Sequence, residues 1–189
     1  MTWTGALIRP GMLVILVLVL VGACASAGTQ PLIGNAPLTK EIVERLLTKS
    51  DEEAIGIGVG ELGRSVDDLL ALASGIDPTV PLTTESLWSL RWSERGKPGL
   101  MITLTRFHQA PMAHAALEKI ERGQAYHAME VAIGDRSSLL SANSDTGAAV
   151  TFLRDRTLVA LQLPITSDGA ALLNEEQLIK LAILVDAKL

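Results

Sequence analysis

The sequence predicts an α+β fold built on a single antiparallel sheet with helices packed on one face. Stretches with the two-residue period of strands occur in adjacent pairs that are joined by turn residues. Helical stretches are interleaved with these pairs, and no sustained strand–helix–strand alternation indicates a parallel sheet. Because the chain after its N-terminal segment has the length of one domain, we expect a single domain over residues 38–189.

Two helices are predicted before the first pair of strands. Thr39 suits the N-cap of the first, and Leu38 with Val43 suits a hydrophobic staple, so this helix is expected to end near Ser50. The second helix is expected to open in the stretch 65–68 and to end at Gly75.

Two hairpins are predicted from alternation and turn residues. In the first, Trp88, Leu90 and Trp92 share one face of a strand whose partner runs over 100–108. The second hairpin pairs 148–153 with 158–163. Two short strands, at 129–133 and 138–141, are expected on either side of a Gly134-Asp135 turn.

Two further helices have clear boundaries. Pro111 suits the first turn of one, and Gly123 suits its end. The last helix has Asn174 as its cap and Gln177 as the partner in a capping box. We expect it to bury one apolar stripe, which consists of Leu178, Leu181, Ala182 and Val185.

The N-terminal segment has the three parts of a secretory signal. Arg9 precedes an unbroken apolar run over 12–21, and small residues follow it. A comfortable membrane span needs about 20 apolar residues, so this run is short for one.

Val21-Gly22-Ala23-Cys24 resembles the lipobox of bacterial lipoproteins, which have a branched apolar residue, two small residues and then cysteine. The resemblance implies a signal peptide over 1–23 and a Cys24 that becomes the first mature residue and carries covalent lipid, including palmitate. Residues 24–37 would then hold the lipid and a flexible tether. The resemblance also implies a membrane anchor on the exported side: the outer membrane in a cell with two membranes, otherwise the outer face of the cell membrane.

Two other fates of this segment remain open. Ala25-Ser26-Ala27 also fits a cleavage site that would release a soluble exported protein, and an uncleaved N-terminal anchor is a further alternative. Cys24 is the only cysteine, so no disulfide can form within the chain.

The charge balance narrows the classes of partner. After Cys24 the chain carries 15 of the 16 basic residues and all 21 acidic residues, a formal charge of −6. This argues against nucleic acid as a partner and against electrostatic attraction to anionic lipid.

From Leu38 onward the chain resembles small exported lipoproteins of unknown function that are common in actinobacteria. The Leu-Thr-x-Glu start at 38–41, the tryptophan-bearing hairpin, the Gly134-Asp135 turn and the last two strands before a terminal helix carry the resemblance. It implies a PsbP-like sandwich. Many such proteins have a cysteine pair in the domain and this chain has none, and no catalytic residues are implied.

Three sets of residues invite a functional interpretation. Gly58-x-Gly60-x-x-Gly63 matches a dinucleotide-binding fingerprint, but Pro78 and Pro81 stand where that motif needs the end of a second strand, so we interpret it as a glycine-rich loop. The histidines, His108, His114 and His127, together with Glu130, have no recognised ligand spacing, so we expect surface or partly buried single residues. Trp88 and Trp92 are expected in the core, with an exposed aromatic surface as the alternative.

The sequence therefore predicts no catalytic, cofactor-binding or metal-ligating residues, and one modification site at Cys24. The favoured hypothesis is a lipid-anchored, non-catalytic module that binds an unknown protein or small-molecule partner. An envelope enzyme would be indicated by a deep pocket with convergent titratable groups, and a carrier of apolar molecules by a large cavity lined by Leu, Met and Ala.

Overall fold

The computed structural model of the chain describes residues 36–57, 62–94, 97–123, 125–129, 131–142, 147–164 and 172–189. These residues belong to one unit that spans Pro31–Leu189. The predicted signal peptide, the lipobox with Cys24 and most of the predicted tether lie outside the described residues.

A single antiparallel sheet of seven strands organises this unit, which confirms the predicted α+β class with one antiparallel sheet. The strands lie in the order β1-β2-β3-β7-β6-β5-β4, and every neighbouring pair is antiparallel. The strands are β1 (Leu62–Asp68), β2 (Thr84–Glu94), β3 (Lys97–Phe107), β4 (His127–Ala128), β5 (Arg136–Leu140), β6 (Ala149–Arg154) and β7 (Thr157–Gln162).

Six helices are described around the sheet, and both predicted hairpins and the helix from Pro111 are present. The helices are α1 (Lys40–Arg45), α2 (Lys49–Ile55), α3 (Leu70–Ile76), α4 (Val80–Thr83), α5 (Ala110–Gly123) and α6 (Glu175–Asp186). Within the described ranges, none of them is long and apolar enough to cross a membrane.

The main core lies between one face of the sheet and helices α1, α2 and α6. Because successive side chains of a strand point to opposite faces, Leu90, Ile102 and Leu161 share this face, which we call the core face. They pack in one buried cluster with Val43 of α1 and Leu181 of α6. The predicted stripe of α6 is confirmed, since all four of its members are buried.

Helix α5 packs on the opposite face of the sheet, which we call the outer face. A second buried cluster joins Ala113 and Leu117 of α5 to Phe107, Leu153 and Leu158. These three strand residues alternate with core-face residues, so they point the other way. The outer face is therefore covered by a helix at one end of the sheet, where β3 finishes and β7 begins.

The prediction that a helix begins in the stretch 65–68 is wrong, because these residues belong to strand β1. Val66 pairs with Leu90 and packs against the main core, whereas Ser65 and Asp67 alternate onto the outer face. The helix starts later, and the carboxylate of Asp68 accepts a hydrogen bond from the Leu70 amide at 2.9 Å.

Two other boundaries differ from the prediction. The first helix ends at Arg45, and a second helix, α2, begins after Thr48 with a capping box between Thr48 and Asp51. Ser50 therefore lies in the first turn of α2 and does not end the first helix. The strand predicted over 129–133 is also wrong, since β4 covers only His127–Ala128. The turn before β5 is present, and Gly134 adopts a φ of +61° there.

Candidate functional site

An open cleft of about 770 Å³ lies on the outer face of the sheet, at the end that α5 leaves uncovered. Side chains from β1, β2, β3, β7, β6 and β5 form its floor, because every second residue of each strand points to this face. The floor and rim residues are Ser65, Arg91, Trp92, Ser93, Leu100, Met101, Tyr126, Leu140, Gly147, Ala148, Ala149, Gln162, Leu163 and Pro164. The volume lies in the range of sites that take a small molecule.

Apolar groups make up the middle of the cleft. Met101 of β3, Ala149 of β6 and Leu140 of β5 point to the same face, on strands that lie on either side of β7. Burial of the apolar part of a ligand here would stabilise the complex by about 25 cal/mol for each Å² of apolar surface that is removed from water. Tyr126 adds an aromatic ring, and its hydroxyl lies 3.5 Å from the hydroxyl of Thr151, which is fully buried.

A polar corner closes the cleft on the β1–β2 side. The guanidinium of Arg91 donates to the carboxylate of Asp67 at 2.6 Å, and the hydroxyl of Ser65 donates to the same carboxylate at 3.3 Å. The hydrogen bond from Arg91 is the main reason that the pKa of Asp67 lies below its usual value. Because a guanidinium has five N–H donors, Arg91 keeps donors for an anionic or carbonyl group of a ligand.

Glycine at position 147 allows two chain segments to meet at the rim. A Cβ atom there would lie 1.7 Å from the carbonyl oxygen of Leu163, so no other residue fits without a backbone shift. The two segments are joined nearby by a hydrogen bond from the Leu163 amide to the Ala148 carbonyl at 2.8 Å. The position of this rim is therefore fixed by backbone packing.

A charge cluster, in which Glu52 is buried, supports the same end of the sheet from the core face. One oxygen of Glu52 on α2 accepts from the indole of Trp92 at 3.1 Å and from the guanidinium of Arg64 at 3.3 Å. The Arg64 guanidinium also lies 5.5 Å from the centre of the Trp92 ring, within reach of a cation–π interaction. These contacts hold α2 against β1 and β2, directly behind the polar corner of the cleft.

The two tryptophans are core residues, as predicted. Trp92 is 1% exposed, and Trp88 is half-buried against the main core with its indole donating to the Leu38 carbonyl at 3.1 Å. The three histidines are exposed, as expected of surface residues. Within the described ranges, no group of three His, Cys, Asp or Glu side chains is arranged to hold a metal ion, and Glu130 lies outside those ranges.

The glycine motif does not occur in the setting that a dinucleotide site requires. Gly58 and Gly60 lie outside the described residues, whereas Gly63 is part of β1, which pairs antiparallel with β2. The mechanism of the fingerprint needs a strand before the motif, a helix after it and a parallel partner strand. The described part of the motif leads into a strand.

Comparisons with protein-family models, with curated proteins and with solved structures found no match. The sequence reasoning missed the cleft, because its residues come from six strands and several connections and none of them forms a motif. Because Trp88, Leu90 and Trp92 share one face of their strand, the same alternation puts Arg91 on the other face, and that is the one signal in the sequence that points to the cleft.

Proposed function

We propose that this chain is a lipid-anchored, non-catalytic binding module of the bacterial cell envelope, whose cleft holds a small amphipathic molecule. The lipobox-like Val21–Cys24 stretch supports the anchor, and Ala25 after the cysteine favours the outer membrane in a cell with two membranes. The open, largely apolar cleft with its single guanidinium carries the binding part of the proposal.

The lining indicates which ligands the cleft favours. Among the described lining residues, Arg91 and Tyr126 are the only ionisable side chains, and the remainder are apolar, hydroxyl, amide or glycine groups. Such a surface orients a ligand that has an apolar body and one anionic or carbonyl end. An acyl chain with a carboxylate has this chemistry, with its head group at Arg91 and its body along Met101 and Leu140.

A fluorescent fatty acid with a conjugated acyl chain and a free carboxylate tests this proposal. We expect saturable binding to the purified protein. Binding should be weaker in Met101→Trp, because the larger ring covers part of the cleft floor, and weaker in Arg91→Ala. For a half-exposed cation the loss is about 1 kcal/mol, or roughly a fivefold rise in Kd.

Two variants serve as matched controls. Arg122→Ala removes a cation of α5 that is 80% exposed and does not line the cleft, and Leu72→Ser removes an exposed apolar side chain of α3. Both variants should bind the probe like the unsubstituted protein. Equal binding by all four variants would place the probe outside the cleft and contradict the proposal.

The same lining favours a carrier as a second candidate function. A carrier has to release its ligand to a membrane, and a cleft that is open along one side of a sheet gives such a ligand a short path out. Transfer of the fluorescent fatty acid from the protein to acceptor vesicles measures this directly. Transfer that is faster with more vesicles supports a carrier, whereas a rate set only by dissociation supports a static binding module.

A further inference from the structure

The segment that joins β1 to β2 exposes an unusual amount of apolar surface. Five large apolar side chains are exposed among the described residues, and three of them lie in this α3–α4 segment: Leu72, Ile76 and Leu82, which are 65%, 80% and 73% exposed. The other two, Val131 and Ile183, are 45% and 42% exposed and lie elsewhere. Leu72 and Ile76 are four residues apart in α3, so they share one side of that helix.

The α3–α4 segment lies at the end of the sheet where the described chain begins. Helix α3 follows the last residue of β1, Asp68, which pairs with Trp88. The indole of Trp88 donates to the Leu38 carbonyl. Arg106 lies on β3, two residues after Leu104, the residue that pairs with Trp88, and its guanidinium donates to the Ala36 carbonyl. The chain that leads from Cys24 therefore joins the domain at the same end of the sheet as this apolar surface.

The distance from Cys24 to the domain is limited by chain length. Twelve peptide units separate Cys24 from Ala36, so even a fully extended connection spans at most about 40 Å. A lipid at Cys24 keeps this end of the sheet close to the bilayer, and the high local concentration makes a weak surface contact effective.

The charge of the segment indicates the chemistry of its partner. Asp77 is the only ionisable residue between Leu69 and Thr83, and the chain after Cys24 has a formal charge of −6. Neither property favours an anionic lipid or an acidic peptide. Exposed Leu and Ile side chains without basic neighbours suit the zwitterionic head-group region of a bilayer, where apolar side chains enter by about 5–10 Å.

We propose that the α3–α4 segment is a membrane contact, which inserts Leu72, Ile76 and Leu82 into the leaflet that holds the lipid of Cys24. This inference rests on the anchoring part of the proposed function. It assigns an orientation to the domain, with the α3–α4 end of the sheet at the bilayer and the opposite end, which carries the cleft, facing away.

Spin labels on the full chain, processed in a lipoprotein-producing bacterium and reconstituted into phosphatidylcholine vesicles, test the contact. Leu72→Cys and Leu82→Cys carry the label at the proposed contact. Val131→Cys is the control for an exposed apolar position, and Glu53→Cys is the control for an exposed position on α2, near the other end of the sheet. All four positions are exposed, so labelling leaves the core intact.

We expect the labels at positions 72 and 82 to gain collisions with oxygen and to lose collisions with a water-soluble nickel chelate, whereas the two control labels stay in water. Adding Leu72→Ser and Ile76→Ser to the Leu82→Cys chain should return its label to water. Adding anionic phosphatidylglycerol should not strengthen the contact. Labels at 72 and 82 that match the controls would overturn the proposal.

Two further outcomes are distinguishable in the same experiment. If the unsubstituted chain takes up label, the thiol of Cys24 is free and the lipid anchor fails, while the depth of positions 72 and 82 is read after the signal of the unsubstituted chain is subtracted. If those labels are in water in pure lipid but become immobilised in native envelope vesicles, the surface binds a protein and the membrane contact is overturned.

Discussion

Replacing Leu181 by alanine should strongly destabilise the domain, because this side chain joins α6 to the sheet. Leu181 is 0% exposed and belongs to the main core cluster. The substitution removes three carbon atoms, which at about 0.8 kcal/mol each gives about 2.4 kcal/mol of lost transfer free energy. The cavity that remains raises the expected loss to about 2.7–5 kcal/mol.

Chemical denaturation followed by circular dichroism measures this loss in the free energy of unfolding. Lys180→Ala and Ile183→Ala are matched controls on the same helix, at side chains that are exposed. Both should stay within about 0.5 kcal/mol of the unsubstituted protein. A neutral Leu181→Ala would show that the stripe of α6 does not form the core and would refute the packing described above.

Three further outcomes are expected from the described contacts. The domain produced from residue 38 should unfold cooperatively, because its caps and hairpins are internal to it, and a melt without a transition would contradict this. Glu52→Ala should cost about 2–3 kcal/mol in chemical denaturation, since it leaves the buried indole of Trp92 without its acceptor, whereas Glu52→Gln, which keeps an acceptor oxygen, should cost less. Although burial raises the pKa of Asp51, hydrogen bonds from Lys188 and Thr48 hold it below its usual value. The ionised Asp51 should stabilise the folded state by about 0.5–2 kcal/mol through its capping box. This contribution should be fully present above the unfolded pKa, about 3.9, and should be lost as the pH falls through the lower folded pKa. A stability difference between Asp51→Ala and the unsubstituted protein that persists in acid would contradict this.

The parts of the fold that the sequence predicted are those whose signals are local. The capping box of Asn174 and Gln177 involves residues three apart, and both of its hydrogen bonds are present at 2.8 and 2.9 Å. The alternation of Trp88, Leu90 and Trp92 likewise fixed which side of β2 meets the core, because a strand's side chains have a period of two.

Strand β1 was missed because its burial is set by tertiary contacts. Val66 packs against the main core, and Arg64 reaches it through its contacts with Glu52 and Trp92. A helical start with acidic residues was the stronger local pattern. Pairing with β2 outweighed it.

The position of α5 on the outer face had a signal in the sequence. Phe152 and Leu153 are adjacent apolar residues in β6, as are Leu158 and Val159 in β7, and each pair places apolar side chains on both faces of the sheet. A strand that is apolar on both faces is covered on both. The predicted packing of helices on one face is therefore corrected by α5, which covers the apolar side chains of the other face.

The cleft was not predictable from local patterns, because its chemistry depends on register. Arg91 and Met101 are directly opposite in β2 and β3, and Gln162 stands next to Met101 in β7. A shift of one residue in any pair would turn these side chains to the core face. Only the assembled sheet brings a guanidinium, an amide and an apolar floor together.

Intact-mass analysis of the protein extracted from the envelope of a cell that processes lipoproteins tests the anchored module most directly. The proposed anchor predicts a mature chain that begins at Cys24 and carries the added mass of a diacylglycerol and of an acyl group on its amine. The substitution Cys24→Ala should abolish this product. A chain that begins at Gly28, after the Ala25-Ser26-Ala27 site, or one that retains residues 1–23 with a free thiol at Cys24, would contradict it.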